Sequence, residues 1–284
     1  MMRQVRWLEA AWIVCAVLLD APLLAVAQST AKPVLAGVAH VALRVSDVDA
    51  ELSFFNKLGY EKSSAIEEKG KTAFVFVKIN DTEFIEVHPR IPVDATAPQP
   101  LGFNHICFVT NDANALHAQW AAAGLNPTPV VKSADGTLEF GAKDPAGRLT
   151  EALEFTPDSM AMKDKGQHIS AQRVSVWLAG LDMPVPDLKA GERFFEAIGF
   201  SGGMQGTKVR LTSPGNPDLR MVLSPPESTD PVHIMFSVDN VQTAAAQMTS
   251  AGLKPVLENG HILLKDPDGN TFIFQQVSLN NSQH

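Results

Sequence analysis

The sequence predicts an α+β chain built from four copies of one strand, helix, three-strand unit, and three observations carry that expectation. First, Asn104-His105-Ile106-Cys107-Phe108-Val109, an alanine-rich run over 113–123 and Gly124-Leu125-Asn126-Pro127 return downstream. They reappear as Val232-His233-Ile234-Met235-Phe236-Ser237, the run 244–251 and Gly252-Leu253-Lys254-Pro255. The spacing is constant, since 233 minus 105 and 252 minus 124 both give 128, and a fixed offset marks an internal repeat. Second, Arg44-Val45-Ser46-Asp47, the run 52–55 and Leu58-Gly59-Tyr60 are matched by Pro184-Val185-Pro186-Asp187, the run 193–195 and Ile198-Gly199-Phe200. Third, short alternating segments such as 73–79 and 83–88 follow each helix.

Taken in order, His40-Val41-Ala42-Leu43-Arg44 alternates as a strand, which places His40, Ala42 and Arg44 on one face and Val41 and Leu43 on the other. Asp47 is a helix N-cap, because its carboxylate can accept from the first free amides, and Gly59 ends that helix. Strands over 73–79 and 83–88 complete the first unit. The second opens on Asn104-His105, with Cys107 and Val109 on the His105 face and Ile106 and Phe108 opposite. It closes on Asp144-Pro145-Ala146-Gly147 and the strand Leu149-Thr150-Glu151. An equivalent turn at 266–269 closes the fourth unit.

Composition limits the partners. The chain has 284 residues, 45% hydrophobic and 19% charged, which is enough for two modest cores. A net charge of -8 without any run of Lys or Arg lacks the footprint of a nucleic-acid or anionic-membrane binder, so a small-molecule substrate is expected and no nucleic acid. Arg3 and Arg6, the apolar stretch 10–19 and Ala25-Val26-Ala27 read as a signal peptide over residues 1–27. The expectation is an exported protein, periplasmic or secreted, with no membrane span after cleavage, as a monomer or homodimer. Cleavage would remove Cys15 and leave Cys107 as a lone thiol.

Tandem units of this kind resemble the vicinal oxygen chelate superfamily, which includes glyoxalase I, extradiol dioxygenases, methylmalonyl-CoA epimerase and bleomycin-resistance proteins. The resemblance covers nearly everything after residue 35 and implies two tandem vicinal-oxygen-chelate domains, each of paired βαβββ units forming a half-open barrel. We place them at 35–157 and 170–278, with the charged and small residues of 157–170 as linker.

In that family the metal ligands come from the first and last strands of each unit. The positions in the first domain are His40, Glu86, His105 and Glu151; in the second they are Gly180, Val222, His233 and Ile273. A single His near a strand start is usually just a satisfied polar residue, and it is the coincidence of four that points to a metal. The resemblance therefore implies one divalent ion in the first domain and a degenerate second domain, with His233 as a remnant. Two imidazoles and two carboxylates suit Ni, Co, Zn, Fe(II) or Mn.

The full set looks most like glyoxalase I. That implies a metal-dependent glyoxalase-like lyase or isomerase, with Glu86 or Glu151 moving a proton and Arg44 holding an anionic substrate group. Arg44 can equally pair with Asp47 or Glu86. An Fe(II) ring-cleaving dioxygenase would need only His40, His105 and Glu151, but the Tyr of that family's motif falls on Gly141. A non-catalytic, drug-binding protein of the bleomycin-resistance type is the third reading, with Phe54, Phe55, Phe74, Phe76 and Phe84 as candidates for a cavity wall, most of them core residues on the simpler reading. His88, two residues from Glu86 on the same strand face, is open to a role as a base beside the ligands, but the simpler reading is the surface end of its strand; Cys107 reads as a small strand filler.

Overall fold

The structure is a computed structural model, and it describes residues 35–225 and 231–276. The leader at 1–27 lies outside the described residues. Among the described residues no helix is long and apolar enough to cross a membrane.

The first half of the chain runs β1 Leu35–Val45, α1 Val48–Lys57, β2 Glu61–Glu68, β3 Lys71–Lys78, β4 Phe84–Pro89, β5 Gly102–Thr110, α2 Ala113–Ala122, β6 Val131–Lys132, β7 Leu138–Lys143 and β8 Leu149–Glu154. Its eight strands form one curled sheet in the order β2-β3-β4-β1-β5-β8-β7-β6. A short helix, α3 Met160–Lys163, leads to the second half: β9 Trp177–Pro184, α4 Leu188–Ile198, β10 Ser201–Gln205, β11 Lys208–Ser213, β12 Asn216–Ser224, β13 His233–Val238, α5 Val241–Ser250, β14 Val256–Glu258, β15 His261–Lys265 and β16 Thr271–Gln276. These strands repeat the order as β10-β11-β12-β9-β13-β16-β15-β14. The architecture is that of two tandem α+β half-barrels.

Local chemistry explains the repeated corners. The Asp47 carboxylate accepts from the amides of Asp49 and Ala50, and Asp187 does the same for Lys189 and Ala190. Gly59 leaves α1 with φ +82°, and a Cβ there would run into the Gln172 carbonyl, so only glycine suits that corner.

In each pair of units the first strands run antiparallel to each other and parallel to the last strand of their own unit, as β1 with β5 and β4. Alternation then divides the side chains. Val41, Leu43, Ile85, Ile106 and Phe108 face the helices, and His40, Glu86 and His105 face away from them. The helix-bearing faces of both sheets share one core, joined by Phe54 against Phe272, Tyr60 stacked on Phe236 and Phe108 edge-on to Phe200. That arrangement leaves the other face of the first sheet to line a cavity.

The stretch 157–170, a linker by composition, is a folded strap. Met160 donates its amide to the Asp135 carbonyl, 2.7 Å, and fully buried Lys78 reaches the Asp164 carboxylate, 2.9 Å. Ala161 and Met160 pack with Ile66, Phe76 and Phe84. The sequence hides this because each tie joins residues far apart in the chain.

Candidate metal centre

Four strands bring four donors to one point. His40 from β1 and His105 from β5 meet Nε2 to Nε2 at 3.1 Å. Glu86, from β4, lies 3.6 Å from His40 and 3.5 Å from His105, and Glu151, from β8, lies 3.6 and 3.2 Å from the same nitrogens. The register explains the convergence: Ala42 pairs with both Glu86 and His105, and His40 pairs with Cys107, which pairs with Glu151. All four residues predicted from sequence as ligands are thus together.

Electrostatics without an ion show how strongly these groups are coupled. Burial disfavours a charged His40, but Glu86 and Glu151 outweigh it and push the imidazole up to about 9. Burial alone would raise Glu86, yet His40 and the hydrogen bonds from His105 and His88 hold it well below the usual carboxylate range. Glu151 is likewise depressed, with burial overcome by His105 and His40. Two imidazoles and two carboxylates with lone pairs aimed inward are the donor chemistry of a divalent-cation site, and buried charges of this kind call for a counter-charge. Cys107 also lies within ligand distance of His40 and Glu151. Its thiol is pushed up by burial and then by the neighbouring carboxylates, so it is a poor thiolate donor.

Other residues differ from the sequence expectation. His88 is not a surface strand end: it is half-buried, hydrogen-bonds Glu86 Oε2 at 3.0 Å and stacks on Phe74 with centroids 4.8 Å apart. Arg44 pairs with neither Asp47 nor Glu86; it donates to the Pro89 carbonyl, 3.1 Å. It is not among the residues that line the cavity. Of the five phenylalanines, Phe54 and Phe55 belong to the core, Phe84 lines a small adjoining void, and Phe74 and Phe76 line the cavity.

That cavity, about 280 Å³, holds the four donors and also Glu139, Asp135, Glu68 and His88. Sequence reasoning missed Glu139. Its one available signal was its place in β7, two residues before Gly141 and hence on the same strand face.

The second sheet shows what the same positions become without donors. Gly180 pairs with Met235 as His40 pairs with Cys107, and Asp182 pairs with His233 as Ala42 pairs with His105. Val222, Met235 and Ile273 gather with Ala179 in an apolar cluster where the first sheet has Glu86, Cys107 and Glu151. At Gly180, φ is +116° and a Cβ would collide with the Arg220 carbonyl, so that backbone has no room for a histidine.

Comparison with known proteins agrees with this division. The family model for the Glyoxalase/Bleomycin resistance protein/Dioxygenase superfamily matches residues 37–152, and the first half-barrel belongs to that superfamily. The whole described fold is that of tandem vicinal-oxygen-chelate domains. Similar solved structures include the 2,3-dioxygenase LapB from Pseudomonas sp. KL28, with TM-score 0.67 and 16% identity over 87% of this chain and 94% of that one. A Mn(II)-bound glyoxalase from Novosphingobium aromaticivorans has TM-score 0.63 and 17% identity over 86% and 83%. Homoprotocatechuate 2,3-dioxygenase from Arthrobacter globiformis has TM-score 0.63 and 13% identity over 88% and 82%. At these identities the likeness is one of fold. A comparison with curated proteins finds no match.

Proposed function

We propose that His40, Glu86, His105 and Glu151 hold one divalent ion and that the chain is a glyoxalase-like lyase or isomerase acting on a small oxygenated substrate. The observation that carries this is the convergence of two carboxylates, rather than one, on the paired imidazoles. A bound divalent ion would polarise substrate oxygens and acidify the adjacent C–H.

The two carboxylates are not equivalent. Glu86 is braced by His88 at 3.0 Å, and its side chain is 7% exposed. Glu151 contacts the two imidazoles and is 19% exposed. Glu151 is therefore the freer group, placed to take the proton from the substrate carbon while the electron pair moves into the neighbouring carbonyl. It then returns the proton to the adjacent carbon, while the hydroxyl proton passes to the neighbouring oxygen and the first carbon becomes the carbonyl. Glu86 stays in place as a positioning ligand. Phe74 and Phe76 keep part of the wall dry, which strengthens these interactions.

A ring-cleaving dioxygenase is the second reading, favoured by the subset His40, His105 and Glu151. The strand beside the donors disfavours it, because Gly141, paired with Glu151, offers no acid–base side chain where the ring-cleaving motif has its Tyr. Export of the chain is part of the proposal and rests on residues 1–27 alone.

The experiment loads the purified chain with Ni, Co, Zn, Mn or Fe(II) in turn and screens 2-hydroxy and 2-oxo compounds in deuterium oxide. Solvent deuterium entering substrate carbon without oxygen uptake is the expected result. Oxygen consumption with catechols under Fe(II) would replace this reading with the second.

A further inference from the structure

The charge of the cavity specifies the kind of substrate, an inference that rests on the metal-centre reading. A divalent ion would neutralise Glu86 and Glu151. Three more carboxylates, Glu68, Asp135 and Glu139, line the same space, and no Lys or Arg lines it among the described residues. Arg44, the nearby guanidinium, is turned to the Pro89 carbonyl.

Glu139 is the informative one. Asp135 Oδ1 is occupied by Ser133, by the Thr137 amide at 3.0 Å and by the Thr137 hydroxyl at 2.8 Å, so it has a structural role in its loop. Glu139 takes no hydrogen bond or ion pair from the described residues, although it is half-buried on β7 beside the donor set. Burial first, and then Glu151 and Asp135, push its carboxyl up to about 7. A nearby dication would return it to the ionised form. An unpartnered carboxylate and the aromatic wall of Phe74 and Phe76 enclose one space. Carboxylates attract an ammonium and are hostile to an anion.

We propose that the cavity accepts vicinal-oxygen substrates whose remaining part is cationic or neutral, with Glu139 as the residue that seats an ammonium group and turns away carboxylated or phosphorylated compounds. Anionic thiol adducts and 2-oxo diacids are thereby poor substrates. Amino-bearing hydroxyketones and amino-bearing catechol-like chelators fit.

Three catechols that share their chelating oxygens and differ in side-chain charge test this: dopamine, 4-methylcatechol and 3,4-dihydroxyphenylacetate. Their affinities for the Mn(II)-loaded full chain, measured anaerobically by calorimetry at matched metal loading, need no turnover. Dopamine is expected to bind about tenfold tighter than 3,4-dihydroxyphenylacetate, with 4-methylcatechol between them, a ratio equivalent to about 1.4 kcal/mol. Glu139→Gln should shrink the ratio and Glu139→Lys should invert it. Equal affinities, or a ratio that both variants leave unchanged, would overturn the charge selection alone. If none of the three binds a chain carrying one ion, the chelate reading falls with it.

Discussion

His40 and His105 face each other Nε2 to Nε2 at 3.1 Å, although 65 residues separate them in the chain. Both nitrogens would serve as donors to one ion lying between them and the flanking carboxylates. His40→Ala is expected to weaken metal binding at least about 100-fold, since even a partner that only orients a ligand is commonly worth 10–100-fold. Equilibrium competition against a chelator measures it, and an unchanged affinity would remove His40 from the centre.

His88 supports Glu86 from the far side of that centre, through its 3.0 Å hydrogen bond and its stacking on Phe74. His88→Ala should lower metal affinity by about 10-fold or more without abolishing it, as expected when a ligand loses its orienting partner. His88→Gln, which can restore a donor, should recover part of the loss. No difference between the two variants would show that the hydrogen bond has no such role.

The second half-barrel should bind nothing. Gly180→His supplies the missing first ligand in name only, because φ +116° and the Arg220 carbonyl leave a side chain no room. The variant is expected to lose about 1–3 kcal/mol of stability, the cost of forcing a non-glycine residue into such a backbone. Metal stoichiometry should stay at one. A second ion per chain in metal analysis of this variant would contradict the register argument.

Glu51 gives a pH prediction independent of the metal. It is fully buried on α1. Burial first, then Asp266 and Asp268, push its carboxyl up to about 9. A carboxyl raised in the folded state favours folding fully below its unfolded value near 4.5 and loses that advantage as pH climbs toward 9. Glu51→Gln should therefore gain about 1–3 kcal/mol over the parent at pH 8 and little at pH 4. Denaturant titrations of both proteins at the two pH values decide it, and a gain of equal size at both would refute the assignment.

How much of this could be read from sequence follows from the range of each signal. Period-two alternation placed His40, Glu86, His105 and Glu151 on strand faces. Gly180 lies seven residues before Asp187 as His40 does before Asp47, and Ile273 four after Gly269 as Glu151 does after Gly147, which marked both as blank counterparts. Both signals are local or exactly repeated, and the registers His40 with Cys107 and Gly180 with Met235 agree with them. Phe74 and Phe76 were separable from Phe54 and Phe55 in principle, since residues two apart on a strand share a face. Which face met the cavity depended on how the sheet curls. His88 was misread because a histidine before a proline at a strand end usually meets water, and the Phe74 ring that covers it comes from another strand. The strap at 157–170 was illegible for the same reason, its composition being that of a linker and its ties lying with Lys78 and Asp135.

The most direct test of the central claim is the metal content of the purified chain beside that of its His40→Ala and Glu151→Ala variants, by mass spectrometry after equilibration with Ni, Co, Zn, Mn and Fe(II) and removal of excess ion. One tightly held divalent ion in the parent, and less than a tenth of that occupancy in either variant at matched concentration, is the result this account predicts. A parent that retains no ion, or variants that retain as much as the parent, would contradict it.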